Sequence, residues 1–199
     1  MKLHHSPTSP YVRKVMLAVH ELGIADRIEL LAADVWGSEA IRADNPLGKV
    51  PALVLDDGSA LFDSPVICEA LDLQFGDGRL FGTGPRRLVA LKQQAIGDGI
   101  CDAAVAGRIE SAVRPENFRW PGWIERQRKA VSAALDLLER EAAKLPTDAT
   151  IGMLSILAAL SYLDLRFPQD HWREGHAQLA AWYERARRRP SFTATDYKP

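Results

Sequence analysis

The sequence has no excess of charge of either sign and no hydrophobic run long enough to cross a bilayer. Its 199 residues include 25 basic and 26 acidic side chains, for a formal net charge of −1. This balance leaves no electrostatic footprint for nucleic acid or for an anionic membrane surface. The longest apolar run, 151–163, is shorter than the ~20 residues of a membrane-spanning helix, and we interpret it as a buried central helix.

Cysteine is equally scarce, with Cys68 and Cys101 as the two examples. They are too few for a disulfide framework and lack the spacing of zinc ligands, so no metal is expected. Both fall in apolar helical surroundings, which is typical of small buried side chains. No apolar signal-peptide region follows Met1. We therefore expect a cytoplasmic protein.

The first part of the chain alternates between strand and helix patterns. Strands are predicted at 1–4, 27–31, 50–55 and 60–62, and helices at 10–23, 38–43 and 64–75. The order is β-α-β-(α)-β-β-α. Strands joined through a helix are expected to be parallel, and the hairpin around Asp57-Gly58 antiparallel. This pattern predicts a small α/β domain.

The rest of the chain is helical in pattern. The stretch GDGRLFGTGP holds four glycines in ten residues and is the best linker candidate. Helices are predicted near 86–112, 123–144, 151–167 and 175–188, with prolines between them. We therefore predict an α/β domain at 1–77, a linker at about 78–85 and an all-α domain at 86–199.

The stretch NPLGKVPALVLDDGSALFDSPVI, residues 45–67, begins a strand with a proline. Proline cannot donate to a sheet ladder but is tolerated at the first residue of a strand. A cis Val50–Pro51 bond would turn the N–H and C=O of Val50 away from the sheet. A donor and an acceptor that face outward suit an extended peptide, which docks by strand-like pairing.

An Asp-Ser pair opens the helix that follows this hairpin. Ser64 is placed as a cap, and the free N–H groups of the helix end form a site for a carboxylate. Asp63 beside it suits an ammonium group. A ligand with an amino-acid end and a peptide middle, such as glutathione, would satisfy both features. Each feature also occurs without a ligand, but their combination in one ββα unit is more specific.

Three stretches, SPTSPYVRKVMLAVHELGI, NPLGKVPALVLDDGSALFDSPVI and ALSYLDLRFP, resemble the cytosolic glutathione S-transferases of bacteria. The resemblance covers essentially the whole chain. It implies a thioredoxin-like βαβαββα domain followed by a helical-bundle domain. It also implies a glutathione site in the first domain, a co-substrate site between the domains, and a homodimer.

The same resemblance implies roles for individual residues at the glutathione site. Val50 pairs its backbone with the cysteinyl part of glutathione, and Pro51 is the cis-proline of the family. Asp63 and Ser64 hold the γ-glutamyl group. Lys49 is placed to meet the glycyl carboxylate, the alternative being a solvated surface lysine.

Two hydroxyl groups, those of Ser9 and Thr8, are the candidates to contact the thiol of glutathione. Ser9 lies directly before Pro10, where relatives with a catalytic cysteine carry it, and Thr8 lies where other subgroups place a catalytic serine. Ser9 is the first choice, and simple helix capping is the alternative for both residues. A hydroxyl cannot form mixed disulfides, so the sequence favours conjugation or another thiolate-dependent reaction over thiol-disulfide exchange.

The second substrate is expected between Ser9 and the first helix of the second domain. Tyr11, Ala104, Arg108 and Trp120 are the candidate lining, with core packing as the alternative for each. Apolar walls suit a small, largely apolar electrophile, while Arg108 hints at an acidic group. The alternative functions are a non-catalytic glutathione- or protein-binding module, and a glutathione-dependent isomerase or dehalogenase.

Two local expectations concern the helical part. Relatives begin the central helix with Ser or Thr and place Asp three residues later. Here Met153 follows Thr150, so we expect that the capping interaction is lost, at about 1 kcal/mol. The basic run at 185–189 is expected to face solvent at the end of a helix.

Overall fold

A four-stranded sheet forms the first layer of the protein. The computed structural model describes residues 1–34, 37 and 39–197, so Ser38, where the predicted helix at 38–43 begins, lies outside the described residues. The strands are β1 (Lys2–His5), β2 (Glu29–Ala32), β3 (Ala52–Val54) and β4 (Ala60–Leu61). Their order is β2-β1-β3-β4, with β1 and β2 parallel and β3 antiparallel to both β1 and β4. The predicted parallel crossover and antiparallel hairpin are confirmed.

Helices pack against the sheet and continue beyond it. They are α1 (Pro10–Glu21), α2 (Glu39–Asp44), α3 (Ser64–Phe75), α4 (Gly84–Arg108), α5 (Pro121–Glu141), α6 (Ile151–Arg166), α7 (Ala177–Ala186) and α8 (Pro190–Ala194). The sequence analysis missed α8, because it treated Pro190 as a helix breaker, whereas proline is favoured in a first turn. The fold class, a thioredoxin-like unit followed by a helical bundle, is confirmed.

Helix α6 is the centre of the helical layer. Its residues from Ile151 through Leu163 are all buried. It lies so close to α4 that a Cβ atom on Gly97 would stand 2.5 Å from the backbone of Ser155. The interpretation of this apolar run as a buried central helix is therefore confirmed. Within the described ranges, no helix combines the length and apolar character that crossing a membrane requires.

Helix α1 joins the two layers through two buried cations. Arg13 and Lys14 are only 3% and 1% exposed. The Nζ atom of Lys14 lies 2.8 Å from both carboxylate oxygens of Asp98 on α4. The guanidinium of Arg13 stacks between the rings of Phe192 and Tyr197, 4.2 and 4.4 Å from their centroids. The apolar pattern of α1 therefore predicts the face that packs on the sheet. It does not predict the second buried face, which carries Arg13 and Lys14.

The expectation for the basic run is wrong at Arg189. Its Nε and Nη2 atoms each lie 2.8 Å from a carboxylate oxygen of Glu21, at the end of α1. This pairing is the main cause of the lowered pKa of Glu21. Arg189 therefore ties the C-terminal region to α1, while Arg185 and Arg188 are exposed as expected.

The expectation for the start of α6 is also wrong. The Oγ1 atom of Thr150 accepts a hydrogen bond from the N–H of Met153 at 3.1 Å. The threonine therefore caps the helix by itself. The missing acidic side chain at position 153 removes only the reciprocal half of the capping box.

The glycine-rich stretch between α3 and α4 is anchored at its middle, at Leu80 and Phe81. The buried carboxylate of Asp72 on α3 accepts the N–H groups of Leu80 and Phe81, at 3.0 to 3.1 Å. The carbonyl of Leu80 in turn accepts the N–H of Ile151, the first residue of α6, at 2.8 Å. The connection therefore links α3 to α6, and its role as a domain boundary stays a prediction.

Candidate functional site

The sheet register brings three separate segments to one edge. His4 of β1 lies opposite Ala52 of β3, and Leu61 of β4 lies opposite Leu53 of β3. Because both pairings are antiparallel, the carboxyl ends of β1 and β4 meet the amino end of β3. The turn into α1, the residues before β3 and the start of α3 therefore share this edge. Those segments carry every residue predicted to bind glutathione or its thiol.

The residues before β3 offer an unpaired peptide group. The Val50–Pro51 peptide bond is cis, with Pro51 buried and Val50 half-buried. Within the described residues, neither the N–H nor the C=O of Val50 has a hydrogen-bond partner. The turn itself is held by Asn45, whose Nδ2 donates to the carbonyl of Lys49 at 2.8 Å. The Lys49 side chain is exposed. An extended ligand could therefore pair with the backbone of Val50.

The start of α3 lies beside this peptide group. The prediction that Ser64 caps this helix is wrong: Asp63 occupies the N-cap position, and Ser64 is the first residue of the helix. Asp63 is exposed and makes no capping hydrogen bond with its side chain. Ser64 is buried, and in the described part of the chain its N–H has no partner. The next residue, Pro65, has no N–H to offer. Unpaired N–H groups at a helix start attract a carboxylate, and an exposed aspartate attracts an ammonium group.

Ser9 caps α1 and still keeps a donor. Its Oγ accepts the N–H of Val12 at 3.3 Å, and the side chain is half-buried. Accepting this bond uses a lone pair, so the hydroxyl proton remains free to donate. Capping and contact with a thiolate are therefore compatible roles. Thr8 is half-buried as well, and among the described residues its hydroxyl has no partner.

Tyr11 uses its hydroxyl for a contact between layers. The hydroxyl donates to Asp102 on α4, at 2.5 Å. Burial raises the pKa of Tyr11, and the neighbouring carboxylate of Asp102 raises it further. This donor is therefore engaged, whereas the hydroxyl group of Ser9 remains free to donate.

A cavity of about 700 Å³ lies within the helical layer, between α4, α5, α6 and the segment after α6. Ala104 and Arg108 line it, whereas Tyr11 and Trp120 do not. Trp120 is 64% exposed and stacks on Trp123, with ring centroids 6.4 Å apart. The structure therefore groups only two of the four residues predicted for the second substrate.

The sequence analysis missed two residues near this cavity. Arg166 lines it together with Arg108, and both guanidinium groups act on the hydroxyl of Tyr162. Burial raises the pKa of Tyr162, and the two cations oppose that shift. Tyr162 and Arg166 are four residues apart on α6 and thus on the same face. The spacing of four residues could have indicated this pair in the sequence. It was overlooked because the apolar run 151–163 was interpreted only as a buried helix.

The two cysteines do not compete with Ser9 for a catalytic role. Both are buried and unpaired. Burial raises the pKa of the Cys68 thiol to about 12, and that of Cys101 also shifts upward for the same reason. Neither is a thiolate near neutral pH. The residues that the structure describes contain no cluster of His, Cys, Asp or Glu fit to hold a metal ion.

Comparisons with known proteins agree with this geometry. Residues 8–74 match the model of the glutathione S-transferase N-terminal domain, and residues 121–185 that of the C-terminal domain. The Escherichia coli K12 protein YibF, described as an uncharacterized GST-like protein, is 32% identical over 98% of both chains.

Two crystal structures of a glutathione transferase family member from Pseudomonas fluorescens Pf-5 are similar to the whole chain, at 43% identity. One holds glutathione, with a TM-score of 0.96 and coverage of 100% of this chain and 99% of that chain. The other holds S-(propanoic acid)-glutathione, with a TM-score of 0.91 and full coverage of both chains. By both domain matches and by these relatives, the chain belongs to the glutathione S-transferase family.

Proposed function

We propose that the protein is a cytoplasmic glutathione transferase that activates the glutathione thiol for attack on a small electrophile. The observation that carries this proposal is the convergence of three features at one sheet edge. These are the unpaired backbone of Val50, the start of α3 at Asp63 and Ser64, and the free hydroxyl of Ser9. The unpaired cysteines fit a reducing compartment.

Each part of glutathione meets a matching group at this edge. The cysteinyl peptide unit pairs with Val50, the γ-glutamyl carboxylate with the N–H and hydroxyl of Ser64, and its ammonium group with Asp63. The exposed Lys49 meets the glycyl carboxylate. The ligand of the Pseudomonas relative, S-(propanoic acid)-glutathione, supports this reading because it is a thioether, the product type that conjugation yields.

Ser9 is the proposed catalytic residue, with Thr8 as its rival. A free thiol has a pKa near ~8.5 and is mostly protonated at neutral pH. Lowering that pKa by about two units requires roughly 2.7 kcal/mol of preference for the thiolate. One charge-assisted hydrogen bond from the hydroxyl, together with the positive end of α1, can supply most of this. The thiol proton passes to solvent. The thiolate then forms a C–S bond with the electrophilic carbon, while the bond from this carbon to its leaving group breaks and that group departs with the electron pair.

Replacing Asp63 and Ser64 together with alanine is expected to abolish glutathione binding in the millimolar range. The double variant removes the partner of the ammonium group and a hydroxyl at the carboxylate site. Isothermal titration of the folded proteins with glutathione measures the loss.

The hairpin of β3 and β4 offers a matched control for this double variant. Asp57 and Ser59 form a second Asp and Ser pair, joined by a side-chain hydrogen bond of 2.6 Å in the turn between β3 and β4. Alanine at both of these positions is expected to leave glutathione affinity unchanged. If the native protein and the Asp63→Ala, Ser64→Ala variant bound glutathione with equal affinity, the proposed glutathione site at this sheet edge would be wrong.

We also propose that the protein is a homodimer through α3 and α4. Both helices expose large apolar side chains: Val66 and Leu73 on α3 are 46% and 67% exposed, and Leu88 on α4 is 70% exposed. An ion pair between Arg87 and Glu69 places the two helices side by side. Apolar side chains exposed on neighbouring helices are typical of a surface that a second copy covers.

The change Leu88→Glu is expected to convert the dimer into a monomer of 22.0 kDa, because it buries a charge in the apolar contact. Light scattering during gel filtration gives the mass. Phe118→Glu is the control, since Phe118 is 65% exposed but lies between α4 and α5. A native protein that elutes as a monomer would contradict the proposal.

A further inference from the structure

The cavity in the helical layer contains two cations without an ionic partner. Three arginines line it, and one of them, Arg128, lies 3.8 Å from the carboxylate of Asp170. Within the described ranges, no carboxylate pairs with Arg108 or Arg166. The Nε atom of Arg166 is moreover buried and has no hydrogen-bond acceptor. A buried donor without an acceptor is unfavourable, so this atom marks a place where an anionic ligand would be stabilised.

The guanidinium groups of Arg108 and Arg166, which have no ionic partner among the described residues, belong to the same cavity. Arg108 ends α4 and Arg166 ends α6, and both side chains line this cavity. They therefore converge from two helices. Guanidinium groups bind carboxylates strongly and with defined geometry, since each presents a planar fork of N–H donors that can meet both carboxylate oxygens.

The nearby carboxylates leave these cations free. Asp98 and Asp102, on the side of α4 that faces α1, already bind Lys14 and Tyr11. In the cavity wall, Asp170 is paired with Arg128, and Glu174 is exposed. The positive charge at Arg108 and Arg166 is thus uncompensated by the protein.

The cations lie within reach of the proposed thiolate. Tyr11, two residues after Ser9, contacts Asp102, and Arg108 follows Asp102 by six residues on α4. At 1.5 Å per residue this is about 9 Å along the helix axis. Ala103, which lines the cavity, directly follows Asp102 on α4, so the cavity wall begins one residue beyond the contact of Tyr11. A small molecule could therefore place one end at Arg108 and the other near Ser9.

We propose that the electrophile carries a carboxylate, which Arg108 and Arg166 bind while its apolar body packs on Ala104, Leu163 and the other apolar residues of the cavity. This inference rests on the proposed transferase function and names its acceptor class, an electrophilic carboxylic acid. Arg108 and Arg166 are substrate-binding residues in this assignment. It replaces the largely apolar acceptor expected from the sequence.

A matched pair of aryl chlorides tests the assignment. In 4-chloro-3-nitrobenzoate the thiolate forms a C–S bond at the carbon that bears chlorine, the C–Cl bond breaks, and chloride leaves with the electron pair. The corresponding 4-chloro-3-nitrobenzamide reacts at the same centre and has nearly the same shape, but it is neutral. Comparison of the two acceptors isolates the carboxylate.

The variants Arg108→Gln and Arg166→Gln are each expected to raise the KM for the benzoate about tenfold or more, since each removes one charged hydrogen bond. The KM for the benzamide and the KM for glutathione are expected to stay within about twofold. Arg185→Gln, an exposed position on α7, removes the same charge and controls for general electrostatic attraction. Equal losses for benzoate and benzamide would overturn the assignment.

Failure of the transferase function gives a different result. If the native protein conjugates neither acceptor, the same arginine variants are titrated with 4-chloro-3-nitrobenzoate in a calorimeter, with glutathione present. If the native protein binds the benzoate and the arginine variants do not, the carboxylate site at Arg108 and Arg166 is supported even though the protein does not catalyse conjugation. Absence of benzoate binding to the native protein would refute the acid site, whatever the outcome for glutathione.

Discussion

Replacing Ser9 with alanine is expected to lower kcat at neutral pH about 10- to 100-fold, the equivalent of losing one or two units of thiol pKa stabilisation. The affinity for glutathione is expected to change little, because Val50, Asp63 and Ser64 remain. The thiolate is the reactive form, so activity rises with pH through the pKa of the bound thiol. Without the hydroxyl, this rise moves upward, toward the ~8.5 of a free thiol. The pH dependence of kcat and the ultraviolet absorbance of the bound thiolate measure the shift.

Ser9 also caps α1, so two further variants separate stability from catalysis. Ser9→Gly costs the helix only a few tenths of a kcal/mol, against about 1 kcal/mol for alanine, but lacks the hydroxyl. Ser9→Thr keeps both the cap and the hydroxyl. Catalysis is expected to fail in the glycine variant and to persist with threonine. If Ser9→Gly left the pH dependence of kcat unchanged and Thr8→Ala lowered kcat, Thr8 would be the residue that stabilises the thiolate. A native protein that binds glutathione without turnover would be a binding module.

The largest expected loss of stability comes from Asp72→Ala. The Asp72 side chain is 0% exposed, and its carboxylate accepts the N–H groups of Leu80 and Phe81. Alanine leaves both donors buried without an acceptor, at about 3 kcal/mol in total. For a chain of this size that corresponds to a fall in Tm of roughly 6 to 12 °C.

Calorimetry or circular dichroism during heating measures this loss. Asp72→Asn, which keeps one acceptor oxygen, is expected to fall between the alanine variant and the native protein. Asp26→Ala, at an exposed position, is expected to change Tm by less than about 2 °C. An unchanged Tm for Asp72→Ala would mean that the connection between α3 and α4 is held by its apolar side chains alone.

Local patterns were sufficient to predict the elements of the first layer. Pro10 and Gly23 bracket α1, and the dipeptide Asp57-Gly58 marks the hairpin, because these residues act through their own backbone preferences. The sheet edge could also be predicted, since antiparallel pairing brings the start of one strand to the end of the next. Most residues of the proposed glutathione site, 49–51 and 63–64, are therefore close in sequence.

Contacts between distant residues were not predictable in this way. Arg13 and Lys14 look like solvated residues on an amphipathic helix, and only the helical layer shows that they are buried. Arg189 looks like the end of a basic run until Glu21 is seen beside it. Arg166 was likewise not predicted to act with Arg108, because these two residues come together only through the packing of α4 on α6.

The buried cations of α1 have a consequence for synthesis on the ribosome. When residues 1–77 have emerged, every strand of the sheet is available, but Lys14 still lacks Asp98, and Arg13 lacks Asp196 and the ring of Phe192. Helix α1, which Ser9 caps, thus carries two charges that the nascent chain cannot yet neutralise. Its final position depends on α4 and then on the last helix, α8. The proposed thiolate site is therefore encoded in the earliest residues and completed by some of the last to be translated.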